Sequence, residues 1–493
     1  MPNRTQQVLK ETTIYGLGGA GSKFISFLLF PLYSRVFNIT DYGAIEVINT
    51  FVFLLSILLT SGTDMAQSFF FFEYPQPEQR KKTLSTLSIY IFLINVLLTM
   101  LVWFFSQQIS TILTGTDRFA ELLRIASLVI PWMALYTFNL NLLRLERKPT
   151  KYISITLPFV AFQIIANIVL VLVLHTGLAG IFWTNVLSYL LFTVLCFIIN
   201  RSFWEFRFDF PRFRELFRYW SPLFPVGVSA WFLSSADRLF LSSLSTLEAT
   251  GVYSAGLRIA SIVGFLVQAF RTANLPFIFE VAKDADADTI YQKTLSYYLY
   301  FITLVAVVIS LFAKPLILLL SGAEYLPALA VIPPLTFVYV LSGVSQIISI
   351  GAMISKNTRY VGLITAGSAL IMGIALLFII PAYQEVGTAY VVLFANLVYN
   401  LLLYWNSQKS HPIPYETKRI LRICAVACFM IVLKFFIPAS SPGMEMLYAL
   451  LILILFMVLT PLLSMLTTHE IKALQNQIQL FGRNIFSRVK AQK

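Results

Sequence analysis

An all-α polytopic membrane protein is the fold class that the sequence predicts, with two six-helix pseudo-repeats around a central cavity and two further helices at the C-terminus. Three observations predict it. The 493 residues are 58% hydrophobic and only 12% charged, with a mean hydropathy of +0.78. Apolar runs of about 20 residues recur from end to end, and each can cross a hydrocarbon layer of roughly 30 Å as a helix. The chain also echoes itself: Lys148, Thr150 and Tyr152 return as Lys356, Thr358 and Tyr360, an offset of 208 residues. Internal duplication of this kind is common in carriers that expose one site alternately to two faces.

About fourteen apolar spans are expected, over 14–36, 43–66, 84–105, 119–141, 152–174, 178–199, 220–243, 251–275, 294–313, 327–350, 361–380, 387–405, 420–437 and 446–467. A β-barrel is excluded by pattern, because transmembrane strands would alternate over about 10 residues whereas these runs are apolar all round. The first span has no small-residue cleavage site behind it and reads as a retained helix. The offset assigns residues 1–205 to an N-terminal half and 206–412 to a C-terminal half, leaves two additional helices in 413–467, and ends in a basic amphipathic tail, 468–493. Six spans is an even number, so both halves enter the membrane from one side and the repeat axis runs along the membrane normal. Asp41-Tyr-Gly43 and Ala249-Thr-Gly251 keep the same offset and are expected in equivalent loops. The joint between halves, 201–220, mixes basic and aromatic residues and suits an in-plane helix on an anionic leaflet.

The net charge of +13 does not call for nucleic acid. Most Lys and Arg fall in alternate loops on the side shared by the two termini, whereas Arg35, Arg118 and Lys314 fall on the other. That bias places both termini in the cytoplasm of a multi-pass plasma-membrane protein.

Two motifs mislead. Gly16-Leu-Gly-Gly-Ala-Gly21 satisfies a dinucleotide fingerprint, yet no strand precedes it and a membrane-length run follows, so the glycines read as helix-packing residues. Asp284-Ala-Asp286-Ala-Asp288 fails as a calcium loop, since Thr289 replaces the turn glycine and Leu295 the final glutamate. No Ser/His/Asp or Cys/His arrangement appears, and Cys196, Cys424 and Cys428 have no histidine beside them. Neither catalysis, nor a metal, nor another cofactor is expected, although a proton or sodium gradient could drive the cycle.

The informative residues are the charges inside apolar spans, where each costs roughly 2.5–3.5 kcal/mol on insertion scales. Lys23, Arg124, Arg238, Arg258 and Arg271 form the candidate cationic cavity for a phosphate-bearing ligand. Asp64, Glu46 and Asp237 are the candidates for a gate or for ion coupling, and an Asp64–Arg271 pair is expected to close the inner mouth. Arg124 also has Glu121 three residues away, within reach of a local pair. Shifted by 208, Lys23 falls on Trp231, Arg238 on Phe30 and Arg258 on Thr50, so the scaffold repeats while its charges do not.

The stretch Leu216-Phe-Arg-Tyr-Trp-Ser-Pro-Leu-Phe-Pro225, then Ala236-Asp-Arg-Leu-Phe-Leu-Ser, then Thr250-Gly-Val-Tyr-Ser-Ala-Gly-Leu-Arg258 resembles the middle section of Wzx-type oligosaccharide flippases. These belong to the polysaccharide-transport branch of the multidrug/oligosaccharidyl-lipid/polysaccharide (MOP) exporter superfamily. Asp41-Tyr-Gly43 and Gly62 through Phe72 agree with it in the first half. The resemblance implies that spans one, two, seven and eight line a cavity, and that the cargo is an oligosaccharide on a polyprenyl pyrophosphate. It further implies translocation to the outer leaflet by alternating access, membrane lipids as surroundings, and other polysaccharide assembly proteins as partners. Asn139, Asn141, Gln268 and Asn274 are candidates for a polar lining that meets sugars. The alternatives are a peptidoglycan lipid-precursor flippase or a multidrug exporter of the same superfamily, and, from another class, a membrane glycosyltransferase or polymerase.

Overall fold

The computed structural model describes residues 25–282, 284–355, 359–437, 442–466 and 470. Among them every regular element is helical, as an apolar chain requires when its backbone groups must be satisfied within each segment. The N-terminal half runs through α1 (Ile25–Val36), α2 (Ile39–Leu58), α3 (Thr63–Glu73), α4 (Pro77–Phe104), α5 (Ser106–Thr114), α6 (Ala120–Ser127), α7 (Ile130–Leu145), α8 (Pro149–Asn167) and α9 (Leu178–Ile199). Next come α10 (Phe210–Trp220), α11 (Phe224–Ser235), α12 (Asp237–Leu244), α13 (Leu247–Val281), α14 (Ala287–Leu311), α15 (Ala313–Leu320), α16 (Ile332–Ile348) and α17 (Ile350–Ile354). The last are α18 (Arg359–Ser410), α19 (Thr417–Phe436) and α20 (Pro442–Leu462).

Ten of the described helices are long and apolar enough to cross a membrane. The difference from fourteen has identifiable causes. The two spans expected over 361–405 form one element, α18, bent where Gln384 takes φ 44° three residues after Pro381. The span expected over 220–243 is interrupted at Ala236, immediately before Asp237 and Arg238, and becomes α11 and α12. Helix α19 carries Arg419, Arg422 and Lys434 within its length, and α1 is described only from Ile25.

The chain forms two compact units, Met1–Lys283 with Ala313–Pro412, and Asp284–Phe312 with Ile413–Lys493. In the first, Val47, Ile48, Phe119, Leu123, Ile130 and Phe182 make one buried cluster that joins α2, α6, α7 and α9. A second cluster of Phe70, Phe71, Leu84, Leu142, Leu216 and Trp220 seats α10 against α3, α4 and α7. Arg212 of α10 stacks on Tyr74 at 4.1 Å and pairs with Glu215 at 2.8 Å, while Phe210, Arg214 and Phe217 stay exposed on its other face. Gly62, at φ 90°, permits the turn between α2 and α3 directly over Trp220.

Helices α2 and α13 cross backbone to backbone. A Cβ at Gly43 would lie 2.0 Å from the Leu247 carbonyl oxygen, and one at Gly251 would lie 2.3 Å from that of Ile39. Both pairs, Gly43 with Gly251 and Ile39 with Leu247, keep the offset of 208, so the two contacts are equivalents across a pseudo-two-fold axis. The expectation that these glycines sit in loops is corrected: both lie inside helices, and packing rather than turning requires them.

In the second unit Arg419 is buried. Its guanidinium reaches Glu416 at 3.0 Å, Glu470 at 2.9 Å and the Met465 carbonyl at 2.7 Å, and it lies over the Tyr297 ring at 5.5 Å. Lys434 donates to the Leu311 carbonyl at the end of α14.

Gly43→Ala and Gly251→Ala should each destabilise by about 1–3 kcal/mol, the usual cost of overpacking, despite a helix-propensity gain of up to about 1 kcal/mol. Gly367→Ala, with open space around it, should be neutral or stabilising; thermal unfolding in detergent reads the contrast. Arg419→Ala should cost on the order of 2 kcal/mol, between the exposed and buried limits for an ion pair. Arg419→Lys should recover little of it, because a point cation cannot replace the planar fork.

Candidate functional site

The glycine crossing determines what faces what. Glu46 lies three residues beyond Gly43 on α2, and Arg258 seven residues beyond Gly251 on α13, so each shares a helix face with its glycine. Where the backbones touch, these side chains must meet. Arg258 donates from a terminal guanidinium nitrogen to Glu46 Oε1 at 2.6 Å. Arg238, in the first turn of α12, donates from another to Glu46 Oε2 at 3.1 Å. The Glu46 side chain is 4% exposed, against 15% for Arg238 and 24% for Arg258. One carboxylate of the N-terminal half therefore bridges two guanidinium groups of the C-terminal half.

Asp237 completes the cluster. Its Oδ2 accepts from the Tyr253 hydroxyl at 2.5 Å and its Oδ1 from the Arg238 backbone N–H at 3.0 Å, with Arg238 Nε at 3.9 Å. Two cations and two carboxylates thus share one buried neighbourhood and cancel in charge, which is how ions are tolerated where water is scarce. One donor nonetheless remains unused. Arg238 Nε has no hydrogen-bond partner among the described residues, while the hydroxyl of the fully buried Tyr42 sits against Glu46 and Arg258.

A cavity of about 240 Å³ opens beside the cluster, lined by Glu46, Arg258, Tyr33, Tyr42, Asn49, Gln163 and Asn185. Gln163 donates to Asn185 at 3.2 Å, and Tyr33 to Asn167 at 2.6 Å. A second cavity of about 490 Å³, lined among others by Ser61, Asp64, Gln67, Thr137, Asn141 and Arg144, shares Phe53, Met133 and Tyr189 with the first. The two cavities therefore lie side by side behind α2, with these three side chains as the partition between them.

Other site candidates lie elsewhere. Lys23 falls outside the described residues. Arg124 is committed locally, to Glu121 at 3.0 Å and the Ser106 hydroxyl at 2.8 Å. Asp64 and Arg271 are both exposed, and the pair expected between them is not formed among the described residues. Asn139 is buried and bonds to the Leu135 carbonyl and to Asn200, a packing role. Asn141 reaches Gln67 at 2.9 Å on the wall of the larger cavity. Gln268 is half-buried on α13, and Asn274 is buried with its amide nitrogen unpartnered among the described residues. Gln163 and Asn185 were not singled out from the sequence, yet their amides within apolar spans carry the same signal as the charges, only weaker. Tyr42 and Tyr253 have no such signal, since a tyrosine in an apolar run looks like any packed aromatic.

Residues 8–282, more than half of the chain, match the family described as polysaccharide biosynthesis protein. Two Haemophilus influenzae proteins, one from the Lsg locus and one an uncharacterised membrane protein, are 21% and 22% identical over 56% of this chain. The chain spans about two thirds of their length, 67% and 66%. Among solved structures, the lipid II flippase MurJ in an inward closed conformation superposes with a TM-score of 0.71 at 17% identity, covering 91% of this chain and 99% of that one. An inward-facing multidrug MATE transporter of the MOP superfamily gives 0.58 at 14% identity, covering 86% and 96%. A MOP superfamily transporter from Pyrococcus furiosus gives 0.58 at 14% identity, covering 85% and 96%. At these identities the likeness is one of fold. With its family match and its apolar helices, this chain is a multi-pass membrane protein that shares the fold of MOP superfamily transporters and belongs to the polysaccharide biosynthesis protein family.

Proposed function

We propose that the protein is a non-enzymatic flippase that moves a polyprenyl-pyrophosphate-linked oligosaccharide from the cytoplasmic to the outer leaflet of a bacterial plasma membrane by alternating access, with both termini cytoplasmic. The observation that carries this reading is the Arg238–Glu46–Arg258 bridge, two partly buried guanidinium groups beside a polar cavity in a member of a polysaccharide biosynthesis family. A diphosphate entering a low-dielectric space needs fixed cations, and guanidinium groups match its geometry. Sugars need hydrogen-bonding walls, which the amides Asn49, Gln163 and Asn185 supply. The polyprenyl tail can remain in lipid. Outward movement of an anion is assisted by an inside-negative potential by about 2.3 kcal/mol per charge per 100 mV. No cofactor is required by this chemistry, and a proton or sodium gradient is a further possible drive. The physiological partners are the enzymes that build the glycan on its lipid and those that use it after translocation.

The likeness to the lipid II flippase favours one second reading, a peptidoglycan-precursor flippase, whose cargo bears the same polyprenyl pyrophosphate. A drug exporter fits less well, since organic cations call for acidic residues and both carboxylates here are already engaged.

Reconstitution in liposomes tests the proposal. Fluorescent polyprenyl-pyrophosphate oligosaccharide should be translocated by the wild type, and Arg238→Ala with Arg258→Ala should slow this at least tenfold, equivalent to about 1.4 kcal/mol. Lys151→Gln, on the exposed start of α8, should flip at the wild-type rate. Equal rates for the arginine variants and the wild type would sink the assignment, and preference for the peptidoglycan precursor over other glycans would select the second reading.

A further inference from the structure

We propose that Glu46 is a built-in stand-in for the cargo's phosphates: it occupies Arg238 and Arg258 in the empty carrier, and a diphosphate must displace it, so that loading itself releases the crossing of α2 and α13. The inference rests on the flippase reading above and adds to it a mechanism for opening.

Four observations carry it. First, each oxygen of the Glu46 carboxylate meets one arginine, at 2.6 and 3.1 Å, which is the contact a phosphate would make. Any anion arriving at these arginines competes with Glu46 before it binds. Second, the site has more donors than one carboxylate can satisfy. Arg238 Nε makes no hydrogen bond among the described residues and stands 3.9 Å from Asp237 Oδ1, and a diphosphate, with more acceptor oxygens than a carboxylate, can engage it. Third, the bridge ties the two halves together. Glu46 sits on α2, and its arginines sit on α12 and α13, within two helical turns of the Gly43–Gly251 contact. Replacing Glu46 by a ligand leaves the glycine contact without its ionic tie. Fourth, the displaced carboxylate has somewhere to go. The adjacent cavity offers the amides of Asn49, Gln163 and Asn185, so release does not strand the charge in an apolar wall.

The device is single. The counterpart of Glu46 at the offset of 208 is Ser254, and those of Arg258 and Arg238 are Thr50 and Phe30, all buried and none charged. Asp237 does not take the place of Glu46, because Tyr253 and the Arg238 backbone already hold its two oxygens.

The test uses the full chain in lipid nanodiscs, with Cys196, Cys424 and Cys428 replaced by Ser and one reporter, Leu247→Cys, buried at the crossing. Inorganic pyrophosphate is the probe. Saturating pyrophosphate should raise the labelling rate of the reporter at least tenfold. With Glu46→Gln added, the reporter should label fast without pyrophosphate, and pyrophosphate should bind at least tenfold more tightly, about 1.4 kcal/mol. With Arg258→Gln the response should vanish. If Glu46→Gln fails to fold, Glu46→Asp, one methylene shorter and able to reach a single arginine, should give an intermediate affinity. Equal pyrophosphate affinity with and without Glu46, no binding at all, or binding without a change in labelling would each overturn the proposal. Failure of the function reading looks different: the crossing would respond to pyrophosphate while the liposomes flip no lipid-linked glycan.

Discussion

The contact of α2 with α13 at Gly43 and Gly251 is the constraint on which the rest of the site depends. With no side chain between them the backbones approach until the carbonyls of Leu247 and Ile39 occupy the space where a Cβ would be. That approach brings the face of α2 carrying Glu46 onto the face of α13 carrying Arg258, and α12 adds Arg238 from the side. Each charge alone costs roughly 2.5–3.5 kcal/mol to insert. Shared among two arginines, two carboxylates and Tyr253, that cost is largely offset, but only while the helices hold this spacing.

A symmetric scaffold here carries an asymmetric lining. The glycine contacts obey the duplication, whereas Glu46, Arg238 and Arg258 face each other across it and their equivalents are Ser254, Phe30 and Thr50. Like halves can rock about one axis, and under the proposed function the asymmetry would serve recognition, because a cargo with a charged end, a polar glycan and a lipid tail has no two-fold of its own. Both cavities lie alongside α2 and are lined mainly by the N-terminal half, with Arg258 reaching the smaller one from α13.

A charge within an apolar run is a weaker guide to function than it looks. Arg124 carries the same sequence signal as Arg258, yet it is satisfied one turn away. The local pair of Arg124 is readable from the Glu121 spacing. The pair of Arg258 is not, since its partner lies 212 residues away and becomes a neighbour only through the glycine crossing. Asp64 and Arg271 illustrate the converse: a pairing inferred from depth and register alone, between two residues that remain exposed.

Hydrophobicity and repetition are properties of neighbouring or equally spaced residues, and for that reason the sequence by itself determined the helical membrane class, the approximate spans and the duplication. It also marked Glu46, Asp237, Arg238 and Arg258 as residues that need partners. Which partner each takes, the break at Ala236, the bend at Gln384 and the role of two glycines as packing surfaces were decided only in the tertiary structure. The physical reason is range. Burial preference acts on each segment separately, while a hydrogen-bonded ion pair needs contact at about 3 Å and so depends on how two distant helices cross.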